Sequence, residues 1–404
     1  MTKPAELPLA LSFVSNSPGS PTGYGVQAEL LISKLLKHNA RVAVQSNWGR
    51  EGNIGDVEVS GKRIREYPKG FRMYSEDVIP LWHKHWSDEN PKLRSLIFTL
   101  YDVWVYNPLT FQGVYPEGNE PPIISWVPLD HLSLPPGVAQ FLKRPNVIPV
   151  TMAPHGQRQL EAAGISSTYI PHSIDTKIYK PTDKIQGTPA RRWLGFKESD
   201  FVVGIVAANK AAGEIHRKAF AENLLAFSIF AKNKPGVKLY IHAEPSRVFG
   251  GFHLPTLMQA LGIQPEQVIL PEPFLFRIGY PTQDMAGVYS SLDVLLSASY
   301  GEGFGVCGIE AQATGTRVIT SKFAATADLY SEDSWAVNGQ AFWHEGQAAF
   351  FAIPSVEQLV EKLELAYAAD RGRSQKAIEF ASQFDVDKVW AEKWLPFWSQ
   401  FVSE

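Results

Sequence analysis

The first 170 residues or so alternate short, wholly apolar runs with amphipathic stretches, as parallel strands buried on both faces do when helices connect them. Leu9 to Val14 predicts a strand, a Pro/Gly turn follows, Val26 to about His38 predicts a helix, and Val42 to Gln45 a second strand. Leu96 to Leu100, Ile123 to Val127 and Val147 to Thr151 predict further strands, and Pro154 to Ala163 a helix. A polar stretch from about Ile170 to Pro189 reads as a linker. A second series then begins, with strands at Phe201 to Ala208, Val237 to His242, Val268 to Leu270, Val294 to Ser297 and Val318 to Ser321. Helices are predicted there at Lys218 to Lys232 and Leu254 to Leu261. Two such series predict two sheets facing each other across a cleft. From Asp385 onward, Val389, Trp390, Trp394, Phe397, Trp398 and Phe401 recur at helical spacing and need an apolar surface to bury against. The expected division is an N-terminal domain over 1–178, a C-terminal domain over 179–384, and a helix over 385–404 that returns to the N-terminal domain.

Length and composition agree with this division. The chain has 404 residues, and at roughly 150 residues per domain two domains are the natural reading. Apolar residues make up 45% and charged residues 20%, which excludes a disordered chain or a coiled coil. The net charge of −3 does not by itself point to a polyanionic partner. Cys307 is the only cysteine, which excludes an internal disulfide framework or a multi-cysteine zinc site and fits a reducing, cytoplasmic setting. The apolar run near the N-terminus is too short for a signal-peptide core, and no window approaches a membrane helix, so no membrane insertion is expected. His83-Lys84-His85 lacks a carboxylate–histidine constellation around it, and no metal is expected.

Ligands of parallel sheets sit at the carboxyl ends of strands, which directs attention to Ser299-Tyr300-Gly301-Glu302-Gly303-Phe304-Gly305-Val306-Cys307-Gly308-Ile309-Glu310. The glycines let backbone approach a ligand closely, and a helix beginning near Val306 would aim free N–H groups at an anion. Glu302 in the loop and Glu310 just over a turn inside the helix are expected to face one cleft and accept hydrogen bonds from vicinal hydroxyls.

The Glu, seven-residue, Glu spacing around Gly-Phe-Gly, followed by Glu-Ala-x-Ala-x-Gly, resembles the signature of the family 4 retaining glycosyltransferases. Phe201 to Val206 with Arg217-Lys218-Ala219-Phe220 is similar to the first strand and helix of that family's donor domain, and Thr168 to Asp175 with Tyr179-Lys180-Pro181 to its interdomain connection. The resemblance is good from about residue 125 to the end and weaker before it. It implies a GT-B fold of two Rossmann-like α/β domains and transfer of a sugar, with retention, from a nucleoside diphosphate sugar to a hydroxyl. The nucleotide sugar is a substrate, and no cofactor is implied.

On the resemblance, Glu302 contacts hydroxyls of the transferred sugar, Glu310 holds the nucleotide ribose, and the amides of Gly303, Phe304, Gly305 and Val306 line sugar and diphosphate. Lys218 fits the family's diphosphate lysine. Asn209-Lys210 stands where the family has an arginine, and Lys210 or Arg217 substitutes. Phe274 is a candidate for contact with the base. Pro21-Thr22-Gly23-Tyr24-Gly25 resembles the family's glycine loop near diphosphate and acceptor, and Asp130 or His131 matches the group near the anomeric carbon. His172 and Asp175 are expected to be hydrogen-bonding groups of the linker.

The acceptor is left open. Residues 61–74 carry five basic residues and one acidic, interleaved with aromatics, and Trp82, His83, Lys84, His85 and Trp86 follow. Residues 61–86 therefore read either as a solvated basic hairpin or as a segment that tracks a phosphate backbone and stacks bases, which would make modified DNA bases the acceptor. A sugar-nucleotide epimerase and a non-catalytic sugar-nucleotide-binding protein are the other classes the pattern admits.

Overall fold

The computed structural model describes residues 6–106, 114–115, 118–211 and 215–402. The chain divides into two units, one of residues 1–129, 133–173 and 386–404, the other of residues 130–132 and 174–385. The changeover falls at Ser173, earlier than the pattern suggests, because the next residues are tied to the second unit. Ile174 N–H donates to the Phe384 carbonyl (2.9 Å), and the Thr176 hydroxyl donates to Asp385 (2.5 Å).

In the first unit, β1 (Leu9–Ser15), β2 (Arg41–Ser46), β3 (Gly55–Val59), β4 (Lys62–Tyr67), β5 (Arg94–Leu100), β6 (Ile123–Val127), β7 (Val147–Thr151) and β8 (Thr168–Tyr169) form one sheet. Their order is β3-β4-β2-β1-β5-β6-β7-β8. All neighbours are parallel except the hairpin β3/β4. All seven residues of β1 are buried, as expected of an apolar run covered on both faces. Because β1 is followed by β2 on one side and flanked by β5 on the other, the connections reverse direction there. This is the switch point where such sheets open a crevice.

The C-terminal residues 386–399 are helical, with Trp390–Trp394 wound as a π turn. Their aromatic stripe packs within the first unit. Trp394 meets Trp126 edge-on with centroids 5.0 Å apart, Trp398 lies 5.6 Å from Phe98, and Trp390 Nε1–H donates to His38 (3.0 Å). Each fully buried ring contributes roughly 1.5–3 kcal/mol, so the stripe is a substantial part of this core.

In the second unit, a small hairpin of β9 (Lys184–Ile185) and β10 (Thr188–Pro189) occupies what reads as linker in the sequence. The main sheet consists of β11 (Phe201–Val206), β12 (Val237–His242), β13 (Val268–Ile269), β14 (Val294–Ser297), β15 (Arg317–Ser321) and β16 (Trp335–Val337). Its order is β13-β12-β11-β14-β15-β16, all parallel. Phe201, Val203, Ile205, Leu224, Phe227, Leu239, Leu296 and Leu363 pack into one core around it. The order reverses between β11 and β14, so the second switch point lies beside the glycine-rich loop. A further hairpin, β17 (Gly339–His344) with β18 (Ala349–Pro354), follows β16.

Candidate active site

β14 ends at Ser297 and the helix Val306–Ala313 begins nine residues on, so the eight residues 298–305 form a loop at the carboxyl edge of the second sheet. Gly305 is the N-cap of that helix with φ +85°, a conformation that favours glycine. It offers no side chain as a cap, and the helix has no acidic residue in its first turn. The Gly308 N–H turns back to the Gly305 carbonyl (3.0 Å). Val306 and Cys307 lie at the partly exposed start of this helix, where backbone N–H groups and the positive end of the macrodipole suit an anion.

Glu302 is buried in the same loop, and both its oxygens are occupied. Oε1 accepts from Lys218 Nζ (2.5 Å) and Ser299 Oγ (2.7 Å), and Oε2 from Arg217 Nη1 (2.9 Å). Burial alone would raise its pKa, but the charges and hydrogen bonds of Lys218 and Arg217, with Ser299, outweigh that and hold it at about 2. Arg217 also donates to the Gly301 carbonyl and lies 3.4 Å from Asp130 Oδ2. The Tyr300 N–H donates to the Arg217 carbonyl (2.8 Å), which locks the loop after β11 to the loop after β14. Two carboxylates and two cations thus share one cluster.

Asp130 and His131 follow β6 in sequence, yet residues 130–132 belong to the second unit. The Asp130 carbonyl lies where a Cβ on Gly301 would be only 1.9 Å away, so this crossing requires glycine. Leu132 exchanges two backbone hydrogen bonds with Phe350 (2.9 and 3.0 Å). His131 is buried against the ring of Phe351, centroids 6.0 Å apart, and its Nδ1 lies 3.5 Å from Asp130 Oδ1. Burial pushes the His131 pKa down, Asp130 pulls it back and Arg217 adds to the lowering, so the imidazole is neutral near pH 7.

Glu310 has a different setting. It is buried with Tyr289, whose hydroxyl donates to Oε2 (2.8 Å). Burial raises its pKa, against hydrogen bonds from Tyr289 and Tyr179. The two glutamates share no hydrogen-bonding partner among the described residues: Glu302 belongs to an ion cluster and Glu310 to a tyrosine slot. Burial, helped by the charges of Glu310 and Glu302 and opposed by Lys218, pushes the Cys307 thiol up to about 12, so it is protonated near pH 7.

The remaining expected residues divide. Lys210 is exposed beside the Phe249 ring, and partial enclosure and the Lys218 charge lower its pKa. Asn209 is corrected from ligand contact to clamp, because its amide donates to the carbonyls of Glu244 (2.8 Å) and Phe252 (2.7 Å) and accepts from Phe252 N–H (2.9 Å). Phe304 turns its ring into the core against Phe384, 5.5 Å away, so only its backbone can serve the loop. Gly303 lies buried between Glu302 and Phe304. Phe274 is 67% exposed at the start of the helix Pro273–Ile278.

In the first unit, Gly23, Tyr24 and Gly25 form the first turn of the helix Gly23–Lys37, which starts before Val26 because Thr22 caps it, its hydroxyl accepting from Gly25 N–H (3.0 Å). His172 is buried against Trp126, burial lowering its pKa to about 3, and Asp175 accepts from Lys177 N–H (2.9 Å).

Lys62–Tyr67 is β4, and the helix Ile79–Asp88 covers it. Tyr67 and Trp86 lie in the core with Trp82 packed on them, so these rings are not available to stack bases. Arg65 pairs with Glu89, Arg72 with Glu76, and Lys62 donates to the Leu36 carbonyl. His83 bonds Ser12 (2.8 Å) and His85 bonds Tyr67 (2.7 Å). Among the described residues no group of three or more His, Cys, Asp or Glu is placed to hold a metal ion, and no helix is long and apolar enough to cross a membrane. Sequence reasoning passed over Ser299, Tyr289 and Phe351. Ser299 stands inside the quoted motif, three residues before Glu302, whereas nothing local marks Tyr289 or Phe351.

No protein-family profile matches the chain. Its fold is that of the GT-B glycosyltransferases. It aligns over 98% of its length with all of sucrose-phosphate synthase from Thermosynechococcus elongatus (TM-score 0.69, 14% identity). It aligns over 97% with all of an Anabaena protein, HepE, solved with UDP and glucose (TM-score 0.65, 15% identity). Among curated proteins it is similar to the D-inositol 3-phosphate glycosyltransferase of Segniliparus rotundus, 29% identical over 230 residues, which is 52% of this chain and 46% of the relative. The same-named protein of Mycobacteroides abscessus is 30% identical over 148 residues, 37% of this chain and 30% of the relative. The matched regions thus span half or less of these relatives' length.

Proposed function

We propose that this chain is a retaining glycosyltransferase that moves a sugar from a nucleoside diphosphate sugar to an acceptor hydroxyl. The observation that carries the reading is the clamp on Glu302, which places Arg217 and Lys218 beside the uncapped start of a helix. A diphosphate set on the amides of Val306 and Cys307 meets those two cations, with Lys210 as a third, and they stabilise the charge that grows on it as the sugar leaves. In this reading the diphosphate needs no metal ion. Glu302, ionised across the working pH range, accepts hydrogen bonds from sugar hydroxyls. Glu310 with Tyr289 accepts those of the ribose. Neutral His131 donates to the departing oxyanion or a sugar hydroxyl, and Asp130 orients it. Oε1 of Glu302 already accepts two hydrogen bonds and Oε2 one, which leaves Oε2 an acceptor site for a sugar hydroxyl, and the reading gives Glu302 no nucleophilic role. The acceptor attacks on the face the diphosphate leaves, which then takes its proton. Similarity to proteins named as glycosyltransferases supports this reading, and the burial of Tyr67 and Trp86 weakens the support for nucleic acid, although Phe71 stays exposed. A reducing, cytoplasmic setting suits the single Cys307.

Calorimetry with a panel of nucleoside diphosphates tests the assignment. Glu310→Ala is expected to weaken the tightest binder at least about tenfold, or about 1.4 kcal/mol. Equal binding by wild type and variant would overturn the role of Glu310, and no binding of any nucleoside diphosphate would overturn the donor reading.

A further inference from the structure

The switch point of the first sheet also carries a site. The loop after β1 leads into Tyr24, and the loop after β5 supplies Tyr101, Asp102 and Trp104. The two loops meet where the Tyr24 hydroxyl donates to Asp102 Oδ2 (3.2 Å) and the Tyr24 and Tyr101 rings lie 6.3 Å apart. Residues ahead of the helix Ile79–Asp88 complete the wall. Tyr74 stands edge-on to Trp104 (5.3 Å) and to Tyr101 (6.4 Å), and Ser75 Oγ donates to Asn47 Oδ1 (3.2 Å). Beneath them Glu76 is nine-tenths buried. Arg72 reaches its Oε1 from outside, while Oε2 has no hydrogen-bond partner. Tyr24, Tyr74 and Asp102 are half-buried, and Trp104 is 46% exposed.

We propose that this cluster is the acceptor site and that it takes an uncharged, hydroxyl-rich ring compound, a sugar or cyclitol, in preference to a phosphorylated one. That it serves the acceptor rests on the glycosyltransferase reading; the ligand class rests on this cluster alone. Indole and phenol rings offer flat faces to the C–H side of a pyranose, and their edges leave room for hydroxyls. Carboxylates and phenols accept and donate the hydrogen bonds such a ring needs. A phosphate would face the negative charges of Asp102 and Glu76, and Arg72, the cation paired with Glu76, stands at the rim. The adjacent helix Gly23–Lys37 offers a weakened pull on an anion, because Thr22 already satisfies the Gly25 N–H. A cationic ligand is disfavoured because Arg72 offsets Glu76 and the Tyr24 hydroxyl already engages Asp102.

The test is ligand-observed saturation-transfer NMR on the full chain. The probes are methyl α-glucopyranoside, methyl α-mannopyranoside and myo-inositol, their monophosphates, and choline. At least one neutral probe is expected to receive saturation from aromatic protons and to bind about tenfold or more tighter than its monophosphate. Trp104→Ala and Asp102→Asn are each expected to weaken it about fivefold or more, with unchanged melting temperature and unchanged nucleoside diphosphate binding. Tighter binding of a monophosphate or of choline, no binding of any neutral probe, or equal binding by both variants would overturn the proposal. Loss of nucleoside diphosphate binding in wild type, with neutral probes still bound, would overturn the donor reading and leave this site standing.

Discussion

The two switch points share a topology and differ in chemistry. At the second sheet, between β11 and β14, Lys218 and Arg217 converge on buried Glu302 beside an uncapped helix. At the first, between β1 and β5, tyrosines and two carboxylates converge beside a helix that Thr22 caps. On the proposals made above, the first of these crevices suits a dianion and its polyol and the second a polyol without a charge. Two sheets of like strand order thus carry opposite chemistry in the few residues just past their strand ends.

Gly301→Val should break this contrast hardest. Its side chain would meet the Asp130 carbonyl, and displacing that segment from Arg217 by an ångström is expected to slow transfer about a hundredfold or more. Neutral-sugar binding at the first switch point should persist; losing both would mean that the two sites do not act separately.

Lys218→Met comes next. It leaves buried Glu302 with one cation, and urea unfolding should show a loss of about 3 kcal/mol. The acid limb of stability reports the same cluster. The Glu302 pKa is depressed in the folded state, so its contribution is complete above the ordinary carboxylate value and is lost as pH falls toward about 2. The size is of order 3 kcal/mol, and Glu302→Gln should flatten that limb. An unchanged limb would show that the clamp does not hold in solution.

The smallest effects sharpen the comparison, because one atom is removed on each side. Tyr289→Phe deletes the hydroxyl that serves buried Glu310 and should cost about 1–2 kcal/mol, raising the Glu310 pKa further. Tyr24→Phe deletes a half-buried bond to Asp102 and should cost about 0.5–1 kcal/mol. Equal losses in thermal unfolding would deny the difference in enclosure between the two sites.

Much of this was legible in the sequence. Ile123–Val127, Val147–Thr151, Val237–His242 and Val294–Ser297 stand where their apolar runs place them, since strands covered on both faces leave an unbroken apolar signal. The glycine loop and Glu302 were legible because the chemistry is local. The hairpin β3/β4 was not, because β3, at the edge of the sheet, alternates and β4 beside it is rich in charge. In Lys62–Tyr67 the arginines face outward while Ile64, Glu66 and Tyr67 are buried, a composition that reads equally as a nucleic-acid groove. Asn209 reads as a ligand because Asn209-Lys210 stands where the resembled family has an arginine, and only the fold shows the loop it holds. Phe351 and the Tyr24–Asp102 pair join residues far apart in the chain, and no local pattern encodes them.

The course of residues 130–132 has a practical consequence. The polypeptide leaves the first unit after Leu129, gives three residues to the second, and returns at Ser133. No single cut therefore yields the whole second unit. A fragment begun at Ile174 would leave Arg217 without Asp130, and Phe351 would have lost the imidazole stacked on it. Expressing the halves separately would require grafting a tripeptide back, for instance by circular permutation.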